Sequence, residues 1–335
     1  MKKSTKTIIS LLVVVVMIVL FDIVSYKVAN QKFLNEFVPK DQWSQYHFPS
    51  WRTDRFRMHD QTTMYWFEKN GGDKLFRPPF GLEYKKSPIW IFGCSFVFGT
   101  SMVNGNHPDE DTFGYILSNQ THHPVYTRGY PSWGIQHMYY QLEKGDIFKN
   151  LPSPEYVVYV FIADHARRTQ KLIYDFWSDG AYLRYEEKDS KLVQIKPILE
   201  PLWKLSAVKI YLTDLEYKIR LAPEKHDKNF DLLKKYLISS KEILQQHNPN
   251  TKFIVLKYNG CDGFDSWFIE TDRWKEIKDS GIIVIDADKE LGVSLKDKAF
   301  LDEDNYHPNR HAWEEISKML AKKYPHATVC RYDGV

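Results

Sequence analysis

Five short apolar runs that alternate with helical patterns constrain this chain more than any other feature. After Pro88 the sequence reads as strands over Ile89 to Gly93, Val125 to Arg128, Tyr156 to Ile162, Lys252 to Tyr258 and Ile282 to Asp286. Each is a run of apolar, β-branched and aromatic residues of the length a buried strand takes. Helical patterns follow at about Asp111 to Asn119, Ile135 to Lys144, Phe230 to His247, Ser266 to Lys278 and Asn309 to Lys323, with Asp111 and Asn309 placed as N-caps. Strands apolar on both faces and separated by helices predict a doubly wound α/β sandwich. In such a sheet ligands bind beyond the carboxyl ends of the strands, so chemistry is sought there.

Two strand-end segments carry it. In IWIFGCSFVFG the first strand ends at Gly93, where a sharp turn can present the hydroxyl of Ser95. Near the carboxyl end, Asp304-Asn305-Tyr306-His307 runs into Pro308, Asn309 and a helix. An Asp three residues ahead of a His can orient the imidazole and stabilise its charged form while it acts as general base. Taken alone, the Asp is more often a helix cap with a nearby surface His, and the Ser is ordinary turn chemistry. Their placement at the ends of two units of one sheet points instead to a nucleophile and its base, the pair a serine esterase needs.

These segments resemble the SGNH hydrolase superfamily, the GDSL-type esterases and lipases, over roughly residues 86 to 323. GCSFVFG stands where the family has GDS, with Cys94 in place of the commonest Asp, and DEDNYHPN carries its DxxHP block intact. The resemblance implies a three-layer α/β/α sandwich with a parallel, flavodoxin-like sheet and a Ser95, His307, Asp304 triad. It also implies an oxyanion hole built from backbone N–H groups of Ser95 and of Ser132, which takes the place of the family's Gly in YTRGYPSWGIQ. The family's third block usually supplies an Asn side chain to that hole; in YVVYVFIADHARR its place falls to Ala163. His165 is then the nearest replacement donor and Arg168 a candidate for binding substrate, although both residues also read as a solvent-facing helix turn.

With 335 residues and 43% hydrophobic content the chain can bury a large core. A net charge of +3, evenly spread, does not predict a nucleic-acid partner. Cys94, Cys261 and Cys330 lack CxxC spacing, so no zinc site is expected; Cys94 should point away from the site as an inert buried thiol. His122-His123 reads as surface, and neither a metal nor another cofactor is expected.

Lys2, Lys3 and Lys6 precede an apolar stretch from Ile8 to Val24, broken only by Ser10 and Asp22. A basic flank before such a run predicts a membrane anchor over residues 1–27, oriented with the lysines in the cytoplasm and the rest of the chain outside it. A cleaved signal segment is the rival reading, but no small-x-small site follows. Residues 28–85 form an aromatic-rich extension expected to pack on a catalytic domain over 86–330. Within that domain, residues 169–229 are too long for a simple crossover and either roof the site or decorate the surface. The expected substrate is an acyl ester of a glycan or lipid. The alternatives are an O-acyltransferase modifying a surface polysaccharide, and a non-catalytic glycan-binding or assembly protein of the same fold.

Overall fold

The computed structural model describes residues 77–101, 105–130, 133–169, 185–189, 191–194, 226–260 and 266–324, together with Met17, Leu20 and Val24. The expected anchor, apart from those three residues, and the extension up to residue 76 lie outside the described residues. Among the described residues no helix is long and apolar enough to cross a membrane.

A five-stranded parallel sheet forms the centre. Its strands are β1 (Ile89–Gly93), β2 (Val125–Gly129), β3 (Tyr156–Phe161), β4 (Lys252–Lys257) and β5 (Ile283–Asp286), in the spatial order β2-β1-β3-β4-β5. This is the flavodoxin-like order, and every expected strand is present with its ends moved by a residue at most. Successive side chains on a strand face opposite ways, so Ile89 and Ile91 enter one apolar layer while Trp90 and Phe92 enter the other. Likewise Tyr156, Val158 and Val160 pack opposite to Val157, Tyr159 and Phe161. Both faces are covered, which is why the strands read as continuous apolar runs and not as alternations.

Helices beside the sheet include α1 (Ser95–Phe98), α2 (Phe113–Thr121), α3 (Ile135–Lys144), α4 (Ala163–Arg168), α5 (His226–His247), α6 (Trp267–Glu270), α7 (Trp274–Asp279) and α8 (Arg310–Lys323). One layer is built from α2 and α8, with Phe113 stacked on Trp313 at 4.5 Å. The other is built from α3, α5, α6 and α7, through Met138, Phe230, Leu237, Phe268 and Trp274. Burying each such side chain contributes about 1.5–3 kcal/mol, which locks both layers on the sheet.

Several local expectations are corrected. Asp111 does not cap α2: it ends a 3-10 turn over Asp109–Asp111, and Thr112 takes the cap position. Asn309 does cap α8, its side chain accepting from the Ala312 N–H at 3.1 Å. The single helix expected over Ser266 to Lys278 is two, parted at Thr271, whose backbone turns to φ −54° and ψ 137°. Trp274 Nε1–H donates to the Phe268 carbonyl at 2.9 Å, so the break leaves that acceptor satisfied. His123 is not at the surface. It is 1% exposed, with Nδ1 at 2.6 Å from the Ser87 carbonyl.

Within the expected 169–229 insertion Tyr185–Lys188 and Lys191–Gln194 form an antiparallel hairpin. Tyr185 is buried against Tyr139 of α3 and Tyr236 of α5, and its hydroxyl donates to Glu143 at 2.9 Å. That hairpin therefore packs on the outer helices. The α5 helix starts at His226, inside the range expected for the insertion. Earlier in the chain, Arg77 donates to the carbonyls of Phe98, Gly99 and His107 and to Asp109, and Phe80 forms a bridge to Val125.

Candidate active site

The order β2-β1-β3 makes β1 the place where successive connections depart in opposite directions, and an open α/β sheet has its crevice there. Ser95 stands just past the end of β1, at the first position of the four-residue α1. Gly93 permits the bend, since a Cβ there would lie 2.5 Å from Val97 Cγ2. The helix stops at Gly99, whose φ of 74° is natural only for glycine. As the first residue of α1, Ser95 has no carbonyl one turn back, so its N–H is not used by the helix's own ladder.

The loop before α8 brings the base to it. Asp304 Oδ1 accepts from the backbone N–H groups of Tyr306 and His307 at 2.9 and 2.8 Å, which folds the four-residue segment into a tight turn. Asn305 takes the left-handed conformation that this turn requires, φ 52°, which Asn tolerates better than most residues. The loop is pinned from outside as well: Asp302 N–H donates to the His307 carbonyl at 2.7 Å, and Asn309 Nδ2 donates to Ala299 and Leu301. So held, His307 Nδ1 lies 2.6 Å from Asp304 Oδ2, and His307 Nε2 lies 2.9 Å from Ser95 Oγ. Asp304 and His307 are buried, and the rings of Phe96 and Tyr306 flank the imidazole. With Nδ1–H donating to the carboxylate, Nε2 is the acceptor for the serine proton. Residues 212 apart in the chain thus form one continuous hydrogen-bonded line.

That line, on this sheet and at this strand end, sits on the GCSFVFG and DNYHP blocks of the sequence. The chain resembles the SGNH hydrolases. No family model matches it. Solved structures similar to it include a member of the lipolytic protein G-D-S-L family from Veillonella parvula (12% identity, 71% of this chain and 98% of that one, TM-score 0.41). A lipase/acylhydrolase from Enterococcus faecalis (13%, 71% and 95%, TM-score 0.40) and an acetyl xylan esterase from Butyrivibrio proteoclasticus (11%, 72% and 64%, TM-score 0.42) are also similar. Among curated proteins, a 118-residue stretch is 26% identical to the Obg-like ATPase 1 of Xenopus laevis, and spans 35% of this chain but only 28% of that protein.

The other residues expected at the site fare differently. Ser132 lies outside the described residues. Ala163 begins α4 directly beyond the end of β3, beside β1, and brings no side-chain donor there. His165 is displaced from the role given to it. It is fully buried, its Nδ1 lies 2.7 Å from the Tyr159 hydroxyl, and its ring packs on Tyr159 and Phe161, in the layer beneath α3 and α5. Burial, then the charge of Arg168, hold its pKa well below the ordinary histidine range, so it is a neutral core residue. His165→Ala should therefore lower stability by about 2–4 kcal/mol, as loss of a buried ring and its hydrogen bond does, with turnover per folded molecule unchanged. Denaturant unfolding beside active-site-titrated kinetics checks this, and a turnover loss in fully folded protein would restore the donor role.

Arg168 is also inside the protein, 8% exposed. Its Nε donates to Asp164 Oδ2 and its Nη1 to the Trp133 carbonyl, both at 2.6 Å. A guanidinium so engaged is not a surface group awaiting substrate, which corrects the binding role expected for it. The i, i+4 spacing of Asp164 and Arg168 was the sequence signal for the pair. Cys94 is buried and burial pushes its thiol pKa up, as an inert packing residue requires.

A second His and carboxylate meet within electrostatic reach of Asp304. His107 Nε2 lies 3.3 Å from Asp302 Oδ2, and the carboxylates of Asp302, Asp111 and Asp304 outweigh burial to raise the His107 pKa above its ordinary 6.5. Since the raised value belongs to the folded state, this contribution to stability is complete below about pH 6.5 and is lost as pH rises through the higher folded value. Thermal melts from pH 6 to 9 should therefore show a fall that His107→Gln flattens; parallel curves for the two proteins would contradict it.

Proposed function

We propose that this chain is a serine ester hydrolase of the SGNH type, working through a covalent acyl-enzyme. The observation that carries the reading is the line from Ser95 Oγ through His307 to the buried Asp304 at the sheet's crevice. Ser95 Oγ attacks the ester carbonyl while His307 Nε2 takes its proton; the same proton is then delivered to the departing alcohol. Asp304 holds the tautomer and offsets the imidazolium charge. The Ser95 N–H would face the developing oxyanion, and an N–H from Ser132, three positions after β2 in the sequence, is the partner the resemblance implies for the hole. Water then repeats the attack with His307 again as base. If a sugar hydroxyl takes the place of water, the same residues perform O-acyl transfer.

The reading extends to place and substrate class. The basic flank and apolar run at the amino terminus favour a membrane-tethered domain outside the cytoplasm, where acylated envelope glycan or lipid is the ester at hand. Retention of the chain in membranes after alkaline carbonate, with protease access only from outside, is the expected behaviour; a mature protein starting near residue 30 would remove the anchor. The test of the chemistry is pre-steady-state hydrolysis of p-nitrophenyl acetate by the full chain. A burst of about one p-nitrophenol per Ser95 is expected, because acylation releases the alcohol before the acyl group leaves. Absence of both burst and turnover would favour the non-catalytic binding protein.

A further inference from the structure

We propose that Arg168 is a positioning residue of this active site: it clamps the chain leaving β2 to the helix leaving β3, and so steadies the strand end from which Ser95 emerges, with its charge favouring the alkoxide that develops there. The proposal rests on the esterase reading and adds a group that touches neither substrate nor the triad.

The clamp is reciprocal. Arg168 Nη1 donates to the Trp133 carbonyl at 2.6 Å, and Gln136 Nε2, three residues further on, donates back to the Arg168 carbonyl at 3.0 Å. The chain around Trp133 is itself closed by bonds from Trp133 N–H to the Tyr130 carbonyl and from Gly134 N–H to His137 Nδ1. Contact is close enough that a Cβ on Gly134 would lie 3.1 Å from Arg168 Cβ. Because β2 and β3 flank β1 on its two sides, a tie between the segments that leave them spans the end of β1, from which Ser95 emerges. The segments that leave the two strands beside that serine are thereby tied to each other. Such preorganisation is what makes donors effective toward an oxyanion.

The charge points the same way. Asp164 and Arg168 side chains are 2% and 9% exposed. Burying an ion pair costs desolvation that a neutral clamp would avoid. The charge of Arg168 acts on the thiol of Cys94, next to the nucleophile, more strongly than the opposing charge of Asp164. Of the two charges the cation thus weighs more beside the nucleophile, the sign that would favour an alkoxide developing at the neighbouring residue, where Ala163 supplies no donor.

The test uses the full chain with Arg168→Met and Arg168→Lys, reading kcat and KM on p-nitrophenyl acetate and the second-order rate of Ser95 modification by a fluorophosphonate. That reagent forms a tetrahedral adduct whose oxygen occupies the oxyanion position. Arg168→Met should lower kcat and the modification rate together by about tenfold to a hundredfold, with KM moved less than about threefold, the signature of an interaction made in the transition state. Arg168→Lys, which keeps the charge and loses the planar fork, should recover part of both rates. Should Arg168→Met fail to fold, Arg168→Lys carries the test, with a severalfold loss of both rates expected. Folded variants with native kcat and modification rate, or a loss confined to KM, overturn the proposal while leaving the esterase reading intact. A native chain that neither turns over the ester nor reacts with the phosphonate overturns that reading and this proposal with it.

Discussion

Replacing Ser95 with Ala will lower ester turnover by on the order of 10⁴-fold or more, because a triad acts as a unit and loses nearly all its advantage with any essential member. Stability should hardly change. Ser95 is only partly buried and its hydroxyl reaches His307 Nε2 at the site and not the core, so truncation leaves no cavity in the core and shifts unfolding by roughly 0.5 kcal/mol or less. Kinetics on p-nitrophenyl acetate beside a thermal melt checks both halves. A purified variant that keeps a tenth of native turnover would mean that another nucleophile serves. Cys94 is no candidate, since its thiol lies in the core with its pKa raised by burial.

Asp304→Asn should cost about 10³–10⁴-fold in kcat through a different physical route. The Asn carbonyl can still accept from the Tyr306 and His307 N–H groups, so the turn survives. Its NH₂ then faces His307 Nδ1, 2.6 Å away in the native protein, and an NH₂ can only donate there. His307 is left with its proton on Nε2, the atom that must accept from Ser95. The variant should therefore fold normally, bind ester with little change in KM, and show a burst too slow to separate from turnover. Asp304→Ala would cost more in stability, since it also removes the acceptor that organises residues 304–307. If Asp304→Asn retains native kcat, the carboxylate has no part in setting the tautomer.

Much of this was legible in the sequence because it depends on neighbours along the chain. The strand spans, the Asn309 cap and the DNYH turn are local: apolar runs, a cap three residues ahead of its N–H, and an Asp whose carboxylate reaches N–H groups two and three residues on. The double-sided apolarity of Tyr156 to Phe161 also required a sheet covered on both faces. Where local signals competed, the expected boundaries moved. Asp111 and Thr112 both suit a cap, and Thr112 takes it; the run from Ser266 to Lys278 is helical in pattern, but the Trp274 ring reaches back to the Phe268 carbonyl and makes a break at Thr271 tolerable.

His165, Arg168 and His123 failed for one shared reason. A polar residue in a short helix or beside a turn looks solvated from sequence, yet all three are buried with partners on other elements: Tyr159 on the preceding strand for His165, the Trp133 carbonyl for Arg168, the Ser87 carbonyl for His123. Sequence by itself determined the α/β class, the strand ends and the identities of Ser95, Asp304 and His307, since periodicity, turn chemistry and short-range capping are properties of contiguous residues. Tertiary structure alone decided which groups meet. The 2.9 Å from Ser95 to His307 and the clamp from α4 to Trp133 join residues 212 and 35 positions apart. Such contacts follow from strand order and layer packing, and no local pattern encodes either.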